Sequence, residues 1–255
     1  MPDLGNDGKV ELNIQDGVGY VTFSHPKGNS LPGTLLKAVA SEIDLATSST
    51  KVKVIVLKSE GTGAFCAGAS FDELQSIKDH TQGQKLFYGF AQIIFAIRRS
   101  TKFVIARVQG KAVGGGVGLV AAADYALADQ SAAARLSELA LGIGPFVVGP
   151  AVERKIGLSA FAAMSIDYDW RDANWCLQQG LYQAVYQNQA DLDKGVAEFS
   201  KKMAATSPEA IAQLKAILWQ GTENWDQLLK QRAAISGNLV LSDFTKKYLE
   251  AAKSK

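Results

Sequence analysis

The chain has 255 residues, 47% apolar and 20% charged, a composition that bounds a globular protein able to bury one large core. Its 27 basic and 25 acidic residues leave a net charge of +2 without a long run of one sign, which argues against nucleic-acid binding through a basic stripe. Two cysteines without metal-ligand spacing and two histidines exclude a Cys/His zinc site, and no apolar run reaches the length of a membrane span.

Residues 1–9 lack the apolar stretch of a signal peptide, so a cytoplasmic location is the expectation. Residues 10–15 alternate apolar and polar, Asp16-Gly17 supplies a turn, and residues 18–23 return, which predicts a β-hairpin. A loop follows in which Lys27 beside Gly28 is placed either to meet a phosphate or simply to be solvated. Leu35, Leu36, Val39, Ile43 and Leu45 mark a helix face ending near Ser48, and residues 52–57 form a continuous apolar strand of the buried parallel type. The Gly/Ala-rich loop 61–70 then offers close backbone approach, with Cys66 read as a small buried hydrophobe rather than a nucleophile. Helices are expected over 71–77 and 86–97, the second apolar on most faces through Phe87, Phe90, Ile93, Ile94, Phe95 and Ile97.

The centre of the chain is residues 103–142: a strand (103–108), a glycine-rich turn from Gly110 through the triple glycine Gly114–Gly116, a small-residue helix (117–123), a strand (125–128) and an isolated acid, Glu138. Three glycines ahead of a helix let the backbone approach a ligand closely and aim unpaired N–H groups at it, which stabilises negative charge on an oxygen without a side chain. Gly116 and Gly118 also match a dinucleotide fingerprint, but seven residues separate them from the preceding strand and only six lie between Gly118 and the next. That is too few for the crossover helix such a fold requires. Helices are expected over 152–156, 159–165 and 172–179, and a short strand over 182–186. Beyond Leu192 only helices are indicated (196–205, 209–220, 225–241), with a basic Ala/Lys-rich helix or tail over 245–255. The pattern is an α/β body with a helical C-terminal segment.

Three motifs in register, Phe65-Cys-Ala-Gly-Ala, Gly110 to Gly116 and Leu136-Ser-Glu, resemble those of the crotonase superfamily, the enoyl-CoA hydratases and isomerases, and the likeness extends over nearly the whole chain. The resemblance implies a spiral of ββα units over residues 1–191 carrying CoA binding and the active site. It implies a C-terminal helical region, 192–255, that builds homotrimers, often paired into hexamers. An acyl-CoA thioester would be the substrate, with no separate cofactor, nucleic acid or membrane partner. Its carbonyl oxygen would be held by the amides of Ala69 and Gly115, with Phe65, Cys66 and Ala67 bordering the CoA, Lys27 facing its phosphates, and Leu74, Phe90, Pro145 and Phe146 lining the acyl pocket.

Hydratases of this family carry two glutamates, one just after the triple glycine and one twenty positions on. This chain has Gly118 at the first position and Glu138 at the second. Hydration calls for one carboxylate to deprotonate water and another to protonate carbon, whereas double-bond migration calls for a single shuttle, so the resemblance implies an isomerase built on Glu138. The alternatives are a hydratase whose water is positioned by other groups, or a CoA-thioester-binding protein with little catalysis. Outside the family Glu138 would read as a capping or ion-paired carboxylate. Asp124 reads as structural, Asp72 and Glu73 as acids near the pocket mouth that are candidates to replace the missing one, and Ser70, where the family usually has Asp, as a surface change.

Overall fold

The computed structural model describes residues 8–253; the last two residues of the expected C-terminal tail lie outside them. The expected hairpin forms from β1 (Lys9–Gln15) and β2 (Val18–Ser24), antiparallel and turned at Asp16 and Gly17, which both take positive φ (50° and 81°). α1 (Gly33–Ser48) buries Leu35, Leu36, Val39 and Ile43. Leu45 is 55% exposed, because at 3.6 residues per turn it falls on the opposite side of the helix from that stripe. β3 (Val54–Ser59) lies parallel to β2, and α2 (Phe71–Ser76) and α3 (His80–Arg99) cross back to β4 (Val104–Val108). The central stretch becomes β5 (Ala112–Val113), α4 (Gly115–Ala122), β6 (Tyr125–Asp129) and β7 (Ala133–Arg135).

The two helices expected after Pro145 form on either side of Gly157, whose φ of 79° and ψ of 159° are not helical and break the run α5 (Gly149–Asp167). β8 (Arg171–Asp172), α6 (Ala173–Gln178) and β9 (Ala184–Tyr186) follow, then α7 (Gln189–Ala204), α8 (Pro208–Leu218), α9 (Trp225–Leu239) and α10 (Asp243–Lys253). The large sheet has the order β1-β2-β3-β4-β6-β9, parallel except at the hairpin, and a small sheet has the order β5-β7-β8. Bridges at Leu31–Ala69 and Cys66–Ala112 tie the loops after β2 and β3 to one another and to that small sheet. The chain therefore climbs a spiral in which each turn gives a strand to the large sheet and a shorter piece to the second. That is the α/β spiral with C-terminal helices that the resemblance implied.

The helices after Leu192 are packed onto this body. α7 covers one face of the large sheet, with Leu192, Val196 and Ala204 against Val18, Val54, Val56, Ile105 and Leu127. α9 lies on α3 so closely at Gly83 and Gly237 that a methyl on Gly83 would sit 2.9 Å from the Gly237 Cα. α8 is pinned by charge. Lys215, with a side chain 2% exposed, donates to Asp124 Oδ2 at 2.7 Å and to the Lys102 carbonyl at 2.8 Å. The same Asp124 carboxylate accepts from the Val104 amide at 2.7 Å and from Trp219 Nε1 at 3.3 Å, so one acid joins the start of β4, the end of α4 and the turns of α8.

Removing that acid strands a buried ammonium, an amide and an indole N–H together. Asp124→Ala is expected to lower unfolding free energy by about 3–5 kcal/mol in chemical denaturation. The double variant Asp124→Leu/Lys215→Met should recover much of the loss. Equal destabilisation of single and double variants would show that the pair is not what holds α8.

Candidate active site

The triple glycine opens α4, and each position is glycine for a separate steric reason. Gly114 takes φ 53° and ψ −114°, and a methyl on it would lie 2.9 Å from Glu138 Oε1. A methyl on Gly115 would run into the Phe90 ring, and one on Gly116 would lie 2.7 Å from the Cys66 carbonyl oxygen and 2.8 Å from its Cβ. The backbone at the head of α4 is thus pressed against the carboxylate, an aromatic wall and the 65–69 loop. The Gly115 amide is the first of its helix, where no intrahelical acceptor exists. Ala69 sits on the facing loop, where the amides on either side are engaged: Gly68 N–H donates to Cys66 Sγ at 3.4 Å and Ser70 N–H to the Leu31 carbonyl at 3.2 Å. Gly68, at φ 88°, brings this loop so near that a methyl there would be 3.8 Å from the Gly115 nitrogen.

Between these two loops lies a cavity of about 320 Å³. Its lining includes Ala67, Ala69, Leu74, Phe90, Gly115, Glu138, Pro145 and Phe146, so the structure brings together both expected amide donors, the expected acid and all four expected acyl-pocket residues. Phe65 and Cys66 are not part of it. Both are 0% exposed, Phe65 edge-on to Phe23 with ring centroids 5.6 Å apart and Cys66 against Gly116. Of the three residues expected to border CoA in that loop, only Ala67 faces the cavity, together with Gly68 and Ala69 that follow it.

Lys27 lies in an open cleft beside the cavity mouth, ion-paired with Asp72, both exposed side chains. Its loop touches the cavity wall through the Ala67 amide, which donates to the Gly28 carbonyl at 3.1 Å. Glu73 lines that outer cleft rather than the cavity, and its Oε2 accepts the Gly33 amide at the start of α1 at 2.6 Å. Ser70, read from the sequence as a surface change, is buried and accepts from the Glu73 amide as the N-cap of α2.

Glu138 follows β7 in a tight turn whose carbonyl accepts the amides of Leu141 and Ile143. The residue as a whole is half-buried, but Oε2 is shut off from solvent and has no hydrogen-bond partner. Burial pushes its carboxyl up to about 7, against a smaller opposing pull from its own backbone N–H. Where a second acid would stand on α4, Gly118 is packed against Val148, whose Cβ would be 2.6 Å from a methyl at that position. Val148 also lines the cavity, so an apolar side chain fills the place of the first glutamate.

Sequence reasoning missed several walls. Phe71 comes from α2, Tyr248 and Ala252 from α10, and Arg135 and Trp170 from the edge of the small sheet. Arg135 stands three residues before Glu138, the one local signal that pointed to it; the others arrive through tertiary packing.

A carboxyl group raised in the folded state binds its proton more tightly there than in the unfolded chain. Glu138 therefore costs stability as pH rises from its ordinary range through about 7. Glu138→Gln should be more stable than the parent at pH 8 by on the order of 3 kcal/mol, with the gap closing below about pH 4.5. A pH-independent difference in chemical denaturation would show that Glu138 is not held in this way.

The family model described as enoyl-CoA hydratase/isomerase matches residues 13–251. The chain is 26% identical over 244 residues to a probable enoyl-CoA hydratase of Bacillus subtilis (strain 168), covering 95% of this chain and 94% of that one. It is 34% identical over 158 residues to the bacillaene synthase dehydratase PksH of the same organism, spanning 61% of this chain and 60% of that relative's length. Among solved structures, the enoyl-CoA hydratase from Bacillus halodurans superposes with a TM-score of 0.87 at 24% identity, covering 95% of this chain and 99% of that one, a likeness of fold.

Proposed function

The chain belongs to the enoyl-CoA hydratase/isomerase family, and on that premise we propose that it is a single-acid enzyme that moves the double bond of an enoyl-CoA from the 3- to the 2-position. The observation that carries this reading is the pairing of Glu138 with Gly118: one buried carboxyl in the cavity, and Val148 where a second would stand. The thioester carbonyl would lie between the amides of Ala69 and Gly115. Glu138 takes the proton from C2, the carbonyl oxygen gathers the charge of the dienolate, and the same carboxyl returns the proton to C4. Bonds and charges balance with no other reactant. A carboxyl near pH 7 is suited to both halves of that transfer, because neither protonation state is scarce.

The two amides act when the charge develops on oxygen, and each such donor is typically worth about 2.7–4 kcal/mol in the transition state. The apolar walls, Leu74, Phe87, Phe90, Ile143, Phe146 and Val148, keep water away from the dienolate and strengthen those hydrogen bonds. Lys27 would exchange Asp72 for a CoA phosphate at the mouth. Assembly into trimers or hexamers through the C-terminal helices belongs to the same reading. It is supported by the exposed apolar side chains Leu214, Ile217 and Leu218 along α8. The second reading, hydration of 2-enoyl-CoA, draws on the name of the Bacillus subtilis relative matched along most of both chains. It requires water to be deprotonated and carbon protonated with one carboxyl in the cavity.

Glu138→Gln keeps the shape and removes the basicity, so turnover of a 3-enoyl-CoA should fall by about 10²–10⁴-fold with acyl-CoA affinity little changed. Near-parental isomerisation by this variant would remove Glu138 from the mechanism. A parent enzyme that hydrates 2-enoyl-CoA well and does not isomerise would keep the site and overturn the reaction.

Gly118→Glu alone meets Val148, so the informative variant is Gly118→Glu/Val148→Ala. That double variant is expected to gain hydration of crotonyl-CoA over Val148→Ala alone. A folded double variant without such a gain would count against the single-acid argument.

A further inference from the structure

Arg135 ends β7 and Trp170 immediately precedes β8, and the antiparallel pairing of those strands sets the two residues side by side at the cavity wall. Arg135 is the one basic residue lining the cavity that holds Glu138, among the described residues. Its guanidinium lies over two aromatic rings, 5.9 Å from the centroid of Tyr168 and 5.8 Å from that of Trp170. Its Nε donates to the Tyr168 carbonyl at 2.6 Å, which fixes the plane of the group through one of its five N–H donors. A second cation, Lys111, lies 4.9 Å from the centre of the same Trp170 ring.

Among the described residues neither cation is ion-paired, whereas Arg98, Arg99, Arg107, Arg171 and Lys215 each have a carboxylate partner. Tyr168 caps the C-terminus of α5. It stands at φ 43°, a left-handed conformation uncommon for a bulky residue, and its carbonyl is the one that holds Arg135. Trp170 and Tyr168 are 41% and 38% exposed, so the rings serve the cations more than the core. Two like charges around one ring repel each other, and an anion beside them would offset that repulsion.

We propose that Arg135, supported by Lys111 beside the same Trp170 ring, recognises a carboxylate on the acyl group, so that the substrates are carboxyacyl thioesters rather than plain fatty-acyl ones. The inference rests on the acyl-thioester reading of the cavity given above. A guanidinium held at Nε and over aromatic rings keeps its terminal N–H groups for an acceptor, and their spacing matches the two oxygens of a carboxylate. A phosphate shares that acceptor chemistry. The position of Arg135 in the wall of the Glu138 cavity, whereas Lys27 lines a separate outer cleft, favours the acyl carboxylate over the CoA phosphates.

The test is calorimetric binding of three probes to the full chain: glutaryl-CoA, valeryl-CoA of equal chain length without the carboxylate, and CoA alone. Glutaryl-CoA should bind about ten- to a hundred-fold more tightly than valeryl-CoA at low salt. Arg135→Gln should collapse that ratio and Arg135→Lys should keep part of it. Lys111→Gln, at an exposed residue beside Trp170, should lower the ratio several-fold and serves if the Arg135 variants do not fold. Equal binding of the two thioesters by the parent protein overturns the proposal, as does a ratio unmoved by both Arg135→Gln and Lys111→Gln. Equal weakening of all three probes by Arg135→Gln assigns the cation to a CoA phosphate and also overturns it. Saturated thioesters neither isomerise nor hydrate, so failure of the proposed reaction would show in enoyl-CoA assays while the binding ratio stood. Failure of every thioester to bind would sink both.

Discussion

The active cavity depends on the absence of three methyl groups. Gly114, Gly115 and Gly116 are pressed respectively against the Glu138 carboxylate, the Phe90 ring and the Cys66 backbone. Any Cβ at these positions would push one of those partners away, and the partners belong to three separate parts of the chain. The carboxylate arrives on the turn after β7, the ring on α3, and the 65–69 loop on the connection after β3. Close approach at one short segment therefore sets the relative positions of the Glu138 carboxylate, the Phe90 ring and the 65–69 loop at once. Packing in protein interiors tolerates little slack, so a shift at any one partner would be felt by the others. The nearly uniform burial of α4 follows from this: a helix gripped on all sides has no polar face to give to water.

Two buried acids show how surroundings divide structural from chemical roles. Asp124 is met by an ammonium, an amide and an indole N–H, and its geometry is spent on joining β4, α4 and α8. Glu138 stands in a mostly apolar cavity, and its Oε2 has no partner. Removing a carboxyl from water without donors favours its neutral form, which explains the rise to about 7. The difference is not in the side-chain chemistry, since both are carboxyl groups in the protein interior. It lies in how many donors the fold supplies, and the cavity supplies few.

Much of this was legible in the sequence because it is carried by local pattern. Alternation at residues 10–23, the buried strand near 54–57 and the triple glycine each report their own structure, and Glu138 stands out beside them. What escaped was set by tertiary contact. β5, β7 and β8 have two or three residues each, too short to leave a period. Phe65 and Cys66 lie next to Ala67 in sequence but turn into the core, because facing is decided by the bridge from Cys66 to Ala112 and the packing on Gly116. Tyr248 and Ala252 reach the cavity from the far end of the chain only because α10 folds back, with Gln75 Nε2 bonded to the Leu249 carbonyl at 2.9 Å. Ser70 looked like a surface residue because an N-cap leaves no apolar signal.

An unpartnered buried oxygen is costly, and a fold that keeps one must gain by it elsewhere. Glu138 Oε2 has no hydrogen-bond partner, and the amide of Gly115 lies at a helix start where no intrahelical acceptor exists. A thioester in the cavity would supply both complements at once: a carbonyl oxygen for the amide and an acidic C–H for the carboxylate. Neither complement is strong in the ground state, since a thioester oxygen is a weak acceptor and a C–H a weak donor. Both become strong as the proton leaves, when the oxygen takes up negative charge and the carboxyl acquires an O–H. On the proposed reading those deficits would be made good most fully at the transition state, which is the condition for a buried group to accelerate a reaction rather than merely bind a ligand.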